Sequence, residues 1–436
     1  MDMVSAFFYN LFLTVVVIVF APVLFVKVIL TPKYRSRSVK RLGFALGAGP
    51  DGSAPGSHPR IWVHALSVGE VASARNLVRE LRRDYPKGVI IFSSATRAGE
   101  SFAQAALREQ VDCFAPFPFD LLVSVKRLVS WVRPDLFVLV ETDFWPNFLR
   151  ELHRRDIPTL LVNGRASASS FAKYRKLPWL FRPLFNSFQA LAMQTEQDAV
   201  HMRQLGVDPA RLAVLGNLKY DAALPGNSLK TGLDRAALRI PTQALVWVAG
   251  STHQGEEEII FNAFQALVQA FANLFLIVAP RNVERGAELA AMAARRGIPA
   301  CRRSLGEADG GSVLILDTLG ELASVYALCD VAFVGGSLVP ARGHNPLEPA
   351  GHGKPVLFGP YMEDFAEISR DLLAAGGARL VHDAEGLRAG LSLLLADPAE
   401  RQRAGRQAGE LIASRRGVTE AHLALIRRVL AREERG

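Results

Sequence analysis

Residues 331–360 read VAFVGGSLVPARGHNPLEPAGHGKPVLFGP. An apolar, mostly β-branched run at 331–334 stops at Gly335-Gly336, a loop with Arg342, Gly343 and His344 follows, and Asn345-Pro346-Leu347-Glu348 opens a helix. Asn caps such a start, Pro suits the first helical position, and Glu three residues past the cap reaches back to it. The glycine turn aims backbone N–H groups and a positive helix end at one spot, where an anion binds well. A capped helix with no ligand is the plainer alternative for this segment.

The strand-turn-helix pattern recurs on both sides of this stretch. Short apolar runs at 61–63, 89–92, 136–140, 159–162 and 190–193 alternate with amphipathic stretches at 71–83, 100–109, 121–132 and 148–154. A second series follows Pro225-Gly226, with strands expected at 245–249, 274–279, 313–316, 331–334 and 355–358 and helices at 256–270, 284–295 and 319–328. Such alternation predicts α/β folding with parallel sheets covered by helices. The expected architecture is two Rossmann-like domains facing across a cleft, with one N-terminal membrane-anchor helix. The expected divisions are 1–30 (anchor), 31–225, 226–415 and 416–436 (C-terminal helix or tail). The polar stretch SAPGSHP at 53–59 reads as a loop before the first unit.

A chain of 436 residues has room for two or three domains. The formal net charge of +9 favours anionic partners, such as acidic lipid or a phosphorylated substrate. Nucleic acid is disfavoured, because no aromatic-interleaved RNA motif or zinc-finger spacing is present. Three cysteines far apart, Cys113, Cys301 and Cys329, suit reduced thiols. Residues 4–26 are apolar apart from a few polar residues such as Tyr9, Asn10 and Thr14, which is long enough to span a bilayer, and Pro22 is a candidate kink or early end. Asp2 precedes that run and Lys27, Lys33, Arg35, Arg37, Lys40 and Arg41 follow it, so the positive-inside rule puts the rest of the chain in the cytoplasm. A helix lying in the interface is the alternative to a span.

Polar residues gather just past the expected strand ends: Ser67 to Glu70, Glu141 to Asn147 and Asn163 to Arg165 in the first series, and Gly250 to His253, Arg281 and the glycine loop in the second. Open α/β sheets bind ligands at those ends, so a shared site between the domains is expected.

The segments SVGE (67–70), ETDFWPN (141–147), NGRAS (163–167), STHQGEEE (251–258), APRNVER (279–285) and GGSLVPARGHNPLEPA (335–350) together resemble the 3-deoxy-D-manno-octulosonic acid (Kdo) transferases of lipopolysaccharide synthesis. The resemblance runs from the anchor and its trailing YRSR (34–37) to about residue 415. It implies an inverting glycosyltransferase of the GT-B architecture that needs neither metal nor cofactor. It also implies an N-terminal acceptor domain, a C-terminal CMP-Kdo domain, and partners CMP-Kdo, a lipid A precursor (lipid IV-A) and inner-membrane lipid. By the same resemblance Glu70 is the general base, which accepts the proton of an acceptor hydroxyl; a helix-capping glutamate is the other reading of this residue. Glu141 is a second site carboxylate that orients the acceptor or a basic neighbour. Asn345 and Glu348 fall at the nucleotide end of the donor site, with Glu348 on the ribose hydroxyls. Ser251, Thr252 and the Gly335-Gly336 backbone would meet the phosphate, and Arg281 and Arg165 the phosphate and carboxylate of the donor. Lys219 sits between the domains within reach of the cleft, and His344 is a structural donor.

Two positions depart from the family pattern: Arg342 stands where Gly is frequent, and Asp364 where Asn is frequent. In residues 171–185, FAKYRKLPWLFRPLF, basic residues and aromatics suit a membrane face, with a broken amphipathic core helix as the alternative. No G-x-G-x-x-G follows a strand and no Asp-x-Asp occurs, which argues against a dinucleotide dehydrogenase and a metal-dependent glycosyltransferase. The rival reading is another metal-independent GT-B enzyme with a UDP-sugar donor and a membrane lipid acceptor.

Overall fold

A run that is apolar at every residue stays a strand only where both faces of its sheet are covered. The structure, a computed structural model, describes residues 3–30, 32–50, 58–222, 233–306 and 311–433, with side chains in those ranges except 3–5, 20–34 and 432–433. The expected division at Pro225-Gly226 and most of the 53–59 loop lie outside the described residues. Two units are present: Met1–Ala222 together with Gly417–Gly436, and Ala223–Arg416.

The first unit holds β1 (Arg60–Ala65), β2 (Val89–Ser94), β3 (Cys113–Phe114), β4 (Leu136–Val140), β5 (Thr159–Gly164), β6 (Ala190–Met193) and β7 (Leu212–Val214). All pair in parallel, in the order β3-β2-β1-β4-β5-β6-β7. Alternate residues of β1 feed opposite cores: Ile61 and Val63 join Leu77 and Leu81 on one face, while Trp62 joins Phe137 and Phe148 on the other. The second unit holds β8 (Leu245–Thr252), β9 (Leu274–Pro280), β10 (Ala300–Arg302), β11 (Val313–Ile315), β12 (Val331–Val334), β13 (Val356–Phe358) and β14 (Ala378–Leu380). Its order is β10-β11-β9-β8-β12-β13-β14, again all parallel. In each sheet the order turns about one pair, β1/β4 and β8/β12, and such a switch point opens a crevice at the strand C-termini.

Several expectations need correction. The helix expected at 319–328 is a short turn, Leu322–Val325, followed by a 3-10 turn, Tyr326–Leu328. The helix of the glycine loop is short as well, Leu347–Gly351, with Pro346 at its cap position. The C-terminal segment takes the helical one of its two expected forms. Its helix, Val418–Glu433, belongs to the first unit, where Leu423, Ile426 and Val429 pack in the core and the Asp221 carboxylate accepts the N–H groups of Gly417 and Thr419. The 171–185 stretch forms two helices, Ala168–Tyr174 and Pro178–Phe185. Most of its aromatics face inward: the Tyr174 ring lies tilted against Phe181 and edge-on to Phe185, and Phe171 lies on the His201 ring, while Leu177 and Trp179 stay exposed.

The expected anchor falls on the helix Met3–Leu30. Its second half, including the Pro22 side chain, lies outside the described side chains. Among the described residues, no helix is long and apolar enough to cross a membrane. Phe7, Phe8, Leu11, Phe12, Val15, Ile18 and Val19 are exposed. Tyr9 and Asn10 of the same helix are half-buried. The Tyr9 hydroxyl donates to Asp120 Oδ2 at 2.8 Å, and Asn10 and Asn147 exchange amide hydrogen bonds of 3.0 and 2.8 Å. Asp120 also accepts the N–H groups of Asn147 and Phe148, which open the helix Pro146–Arg154, and burial pushes its carboxyl up to about 6.

Candidate active-site residues

In the first unit the chain leaves β1 and turns into the helix Val68–Asp84, capped by the Ser67 hydroxyl on the Glu70 N–H. Glu70 sits in that first turn and is buried, and its Oε2 accepts the Leu66 N–H. Burial, with the Glu141 charge adding to it, pushes the Glu70 carboxyl up to about 8; the Leu66 amide opposes the shift. Glu141 follows β4, across the switch point from β1, with a left-handed φ of 64°. That conformation is strained for a residue with a side chain, and such positions gather at functional sites. Burial raises the Glu141 carboxyl too, while Lys219, Arg165 and the Asn163 amide pull it back. The first unit therefore brings together Glu70, Glu141, Arg165 and Lys219: two carboxylates and two cations, one carboxylate able to take up a proton near neutral pH.

Beneath them lies a buried line that the sequence did not reveal. His64 Nε2 is 2.9 Å from Asp143 Oδ2, and its Nδ1 is 2.8 Å from Ser93 Oγ, which also receives the Trp62 N–H. Burial lowers the His64 pKa against the pull of Asp143. A neutral ring with its Nε2 proton on Asp143 and the Ser93 O–H on Nδ1 satisfies all four groups. The ring is stacked on Phe117 and fully buried, so this line fixes the loop carrying Glu141 and meets no substrate.

In the second unit β8 and β9 slip register between Gly250 and Thr252, and Ser251 sits in that bulge with φ 56°. Gly335, after β12, passes so close that a Cβ there would meet the Ser251 carbonyl oxygen at 2.5 Å. Thr252 does not face a ligand: it is buried, and its hydroxyl donates to Glu257, which Arg285 neutralises at 2.6 Å. The glycine-loop amides are likewise engaged. Gly335 N–H donates to the Gly250 carbonyl at 2.8 Å, and the N–H groups of Gly336, Ser337 and Leu338 all donate to Glu256. The expected amide contacts with a phosphate are thus replaced by a backbone carbonyl for Gly335 and by a protein carboxylate for Gly336. The fully buried Glu256 fills the nest with the negative charge that its amides attract.

Above the nest, His253 and His344 meet Nε2 to Nε2 at 2.7 Å, so one ring donates and the other accepts. Burial, with Arg281 adding to it, drops the His344 pKa to about 4, so the His344 ring is uncharged at neutral pH. Asn345 Oδ1 accepts the Leu347 N–H at 3.1 Å, and its amide donates to Glu348 at 3.2 Å. Burial raises the Glu348 carboxyl, against Asn345 and Arg281. Ser251, Arg281, Asn345 and Glu348 are the expected donor-side residues that the second unit leaves at the strand ends.

Comparison with known proteins agrees with this layout. A sequence model described as 3-Deoxy-D-manno-octulosonic-acid transferase (kdotransferase) matches residues 36–222. The 3-deoxy-D-manno-octulosonic acid transferase of Haemophilus influenzae is 34% identical over 406 residues, covering 92% of this chain and 93% of that protein. The chain belongs to the Kdo transferase family. The Bordetella pertussis member of that name is 33% identical over 392 residues, 88% of each chain. A crystal structure of a UDP-N-acetylglucosamine 2-epimerase shares the fold at 17% identity and a TM-score of 0.58, covering 84% of this chain and 95% of that one. As a Kdo transferase the chain is a glycosyltransferase, and its two parallel-sheet α/β units match that class.

Proposed function

We propose that the protein transfers Kdo from CMP-Kdo to a lipid A precursor, with inversion, as a GT-B glycosyltransferase at the cytoplasmic face of the bacterial inner membrane. The observation that carries the reading is Glu70: a buried carboxylate at the β1/β4 switch point, with its pKa raised to about 8 beside a second carboxylate. A base titrating near the working pH is strong enough to take a proton and still present in its ionised form. The acceptor hydroxyl gives its proton to Glu70 as its oxygen bonds to the anomeric carbon of Kdo. The bond from that carbon to the phosphate oxygen breaks, and CMP departs with the electron pair. Glu141 holds Lys219 and Arg165 by charge, which sets Lys219 toward the acceptor and Arg165 toward a donor anion. Arg281 meets the donor anion, and Glu348 takes the ribose hydroxyls.

The apolar N-terminal helix supports the membrane location, with its exposed Phe7, Phe8, Phe12 and Ile18 directed to lipid and the basic residues after it on the cytoplasmic side. The test is product mass after detergent-solubilised protein is mixed with CMP-Kdo and a tetraacyl lipid A precursor. The expected result is an acceptor heavier by whole Kdo units with CMP released. Turnover of a UDP-sugar instead, with UDP released, overturns the donor assignment.

A further inference from the structure

The last helix of the chain reaches the acceptor half of the site through one residue, Asn163. Asn163 lies where β5 loses register against β6, with φ 54° and no exposure. Each of its four polar groups is used. Its amide Nδ2 donates to Glu141 Oε1 at 3.1 Å, and its Oδ1 accepts the Leu218 N–H at 2.9 Å. Its carbonyl accepts from Gln194 Nε2 at 2.9 Å, and its N–H donates to His422 Nε2 at 3.1 Å. Gln194 in turn accepts from Asn217, whose Oδ1 takes the Lys219 N–H. One residue therefore ties the Glu141 carboxyl, through its side chain, and the backbone at Leu218 and Lys219 to a single point.

His422 is the far end of this chain of bonds. It is fully buried, and its Nδ1 lies 2.8 Å from the Val418 carbonyl, so Nδ1 carries the proton and Nε2 is free to accept. Burial drops its pKa to about 4, which keeps that acceptor available at neutral pH. Asp221 fastens the start of the same helix by accepting from Gly417 and Thr419.

We infer that Asn163 and His422 are positioning residues of the transfer reaction: His422 fixes the left-handed backbone of Asn163, whose amide then holds the Glu141 carboxylate in its working orientation relative to Lys219. The charged groups facing Glu141 are Glu70, Arg165 and Lys219, and Asp221 is the one nearest His422. This rests on the reading of Glu141 as a site carboxylate.

The test uses the full chain in detergent with CMP-Kdo and the tetraacyl precursor. Asn163→Asp keeps the shape and the acceptor for Leu218 but sets an oxygen against Glu141. His422→Leu removes the acceptor, and His422→Gln restores one. Losing a hydrogen bond to a charged group corresponds to about tenfold to hundredfold. Asn163→Asp and His422→Leu are each expected to lower kcat by that factor, leave KM for CMP-Kdo unchanged and move the pH–rate limb, whereas His422→Gln stays close to the parent. In a Glu141→Gln background neither change should add its full loss. Should His422→Leu fail to accumulate, Asn163→Asp carries the same comparison. Full additivity in that background, or parent rates in Asn163→Asp, overturns the inference while leaving Glu141 in place. A parent rate in Glu141→Gln alone removes the premise instead.

Discussion

Arg342 and Asp364, the two positions that depart from the family pattern, are partners: Arg342 Nη2 lies 2.6 Å from Asp364 Oδ1, and the Asp364 N–H donates to the Arg342 carbonyl. Together they form one clasp across 22 residues. Arg342 has φ 70°, a conformation for which glycine is the relaxed choice. Both side chains are largely exposed, at 64% and 49%, so the ion pair is worth about 0.2–1 kcal/mol and weakens with salt. Arg342→Gly should therefore leave the melting temperature nearly unchanged, as relief of the backbone offsets the lost pair. Asp364→Asn should lower it slightly, and less so in high salt. A large drop in either variant would mean that the clasp holds more than its own loop.

Glu70→Gln should reduce turnover by about 10² to 10⁴ while CMP binding persists. In the parent chain the rate should climb with pH along a limb near 8, which belongs to the coupled Glu70–Glu141 pair. Stability moves the other way. An unfolded Glu releases its proton near about 4.3, while the folded one holds it to about 8, so the folded state binds the extra proton between those values. Parent stability thus falls as pH rises through that window, and the Gln variant, which cannot titrate, gains on it. Melting curves at both ends of the window and a pH–rate profile decide the matter; a flat profile would rule Glu70 out as the base.

Glu348→Ala should weaken CMP binding by about tenfold or more in calorimetry. The Asn345 amide would lose its acceptor at the same time. Unchanged affinity with a lower melting temperature would return Glu348 to a capping role for the helix Leu347–Gly351.

Activity should survive excess EDTA, because the proposed stabilisers of departing CMP are fixed protein groups such as Arg281. Loss in EDTA that magnesium or manganese restores would overturn that mechanism.

Deleting residues 1–30 strips Tyr9 and Asn10 from Asp120 and Asn147. Asp120 keeps its two backbone donors, so the shortened chain should fold, with a lowered melting temperature, and still turn over a short-chain soluble acceptor. Its activity on membrane-borne acceptor should fall much further. Equal loss on both acceptors would show that the helix helps to build the site itself.

The sheets were legible because their inner strands are unbroken apolar runs: 136–140, 190–193 and 331–334 appear with the bounds expected. The strands that escaped notice, β3, β7, β10 and β14, are the four sheet edges. They are two or three residues long and only partly buried, so no sustained apolar run marks them. Site residues at strand ends were legible for the same reason as the strands. Which way their polar atoms face was not. Gly336 looked like an anion cradle, and its filling by Glu256, 80 residues earlier, is a tertiary fact. Glu256 and Glu257 begin a helix in a motif that sequence reading had marked, yet nothing local distinguishes a buried carboxylate there from a solvated one. His64 carried a weak signal, a lone imidazole inside an apolar strand. Asn163 carried a similar one, an amide at the end of β5, and His422 carried none.

Tyr9 and Asn10 give the N-terminal helix a fixed azimuth as well as a point of attachment. An apolar segment alone can rotate about its own axis without penalty. Here two adjacent polar side chains are indexed to Asp120 and Asn147, and so to the start of the helix Pro146–Arg154. The stripe of Phe8, Phe12 and Val19 turned outward is therefore chosen by the folded unit. A foreign segment matched for length and hydropathy would reproduce the greasiness and lose the phase, and grafting the Tyr-Asn pair back at its own positions would be the smallest change that restores it.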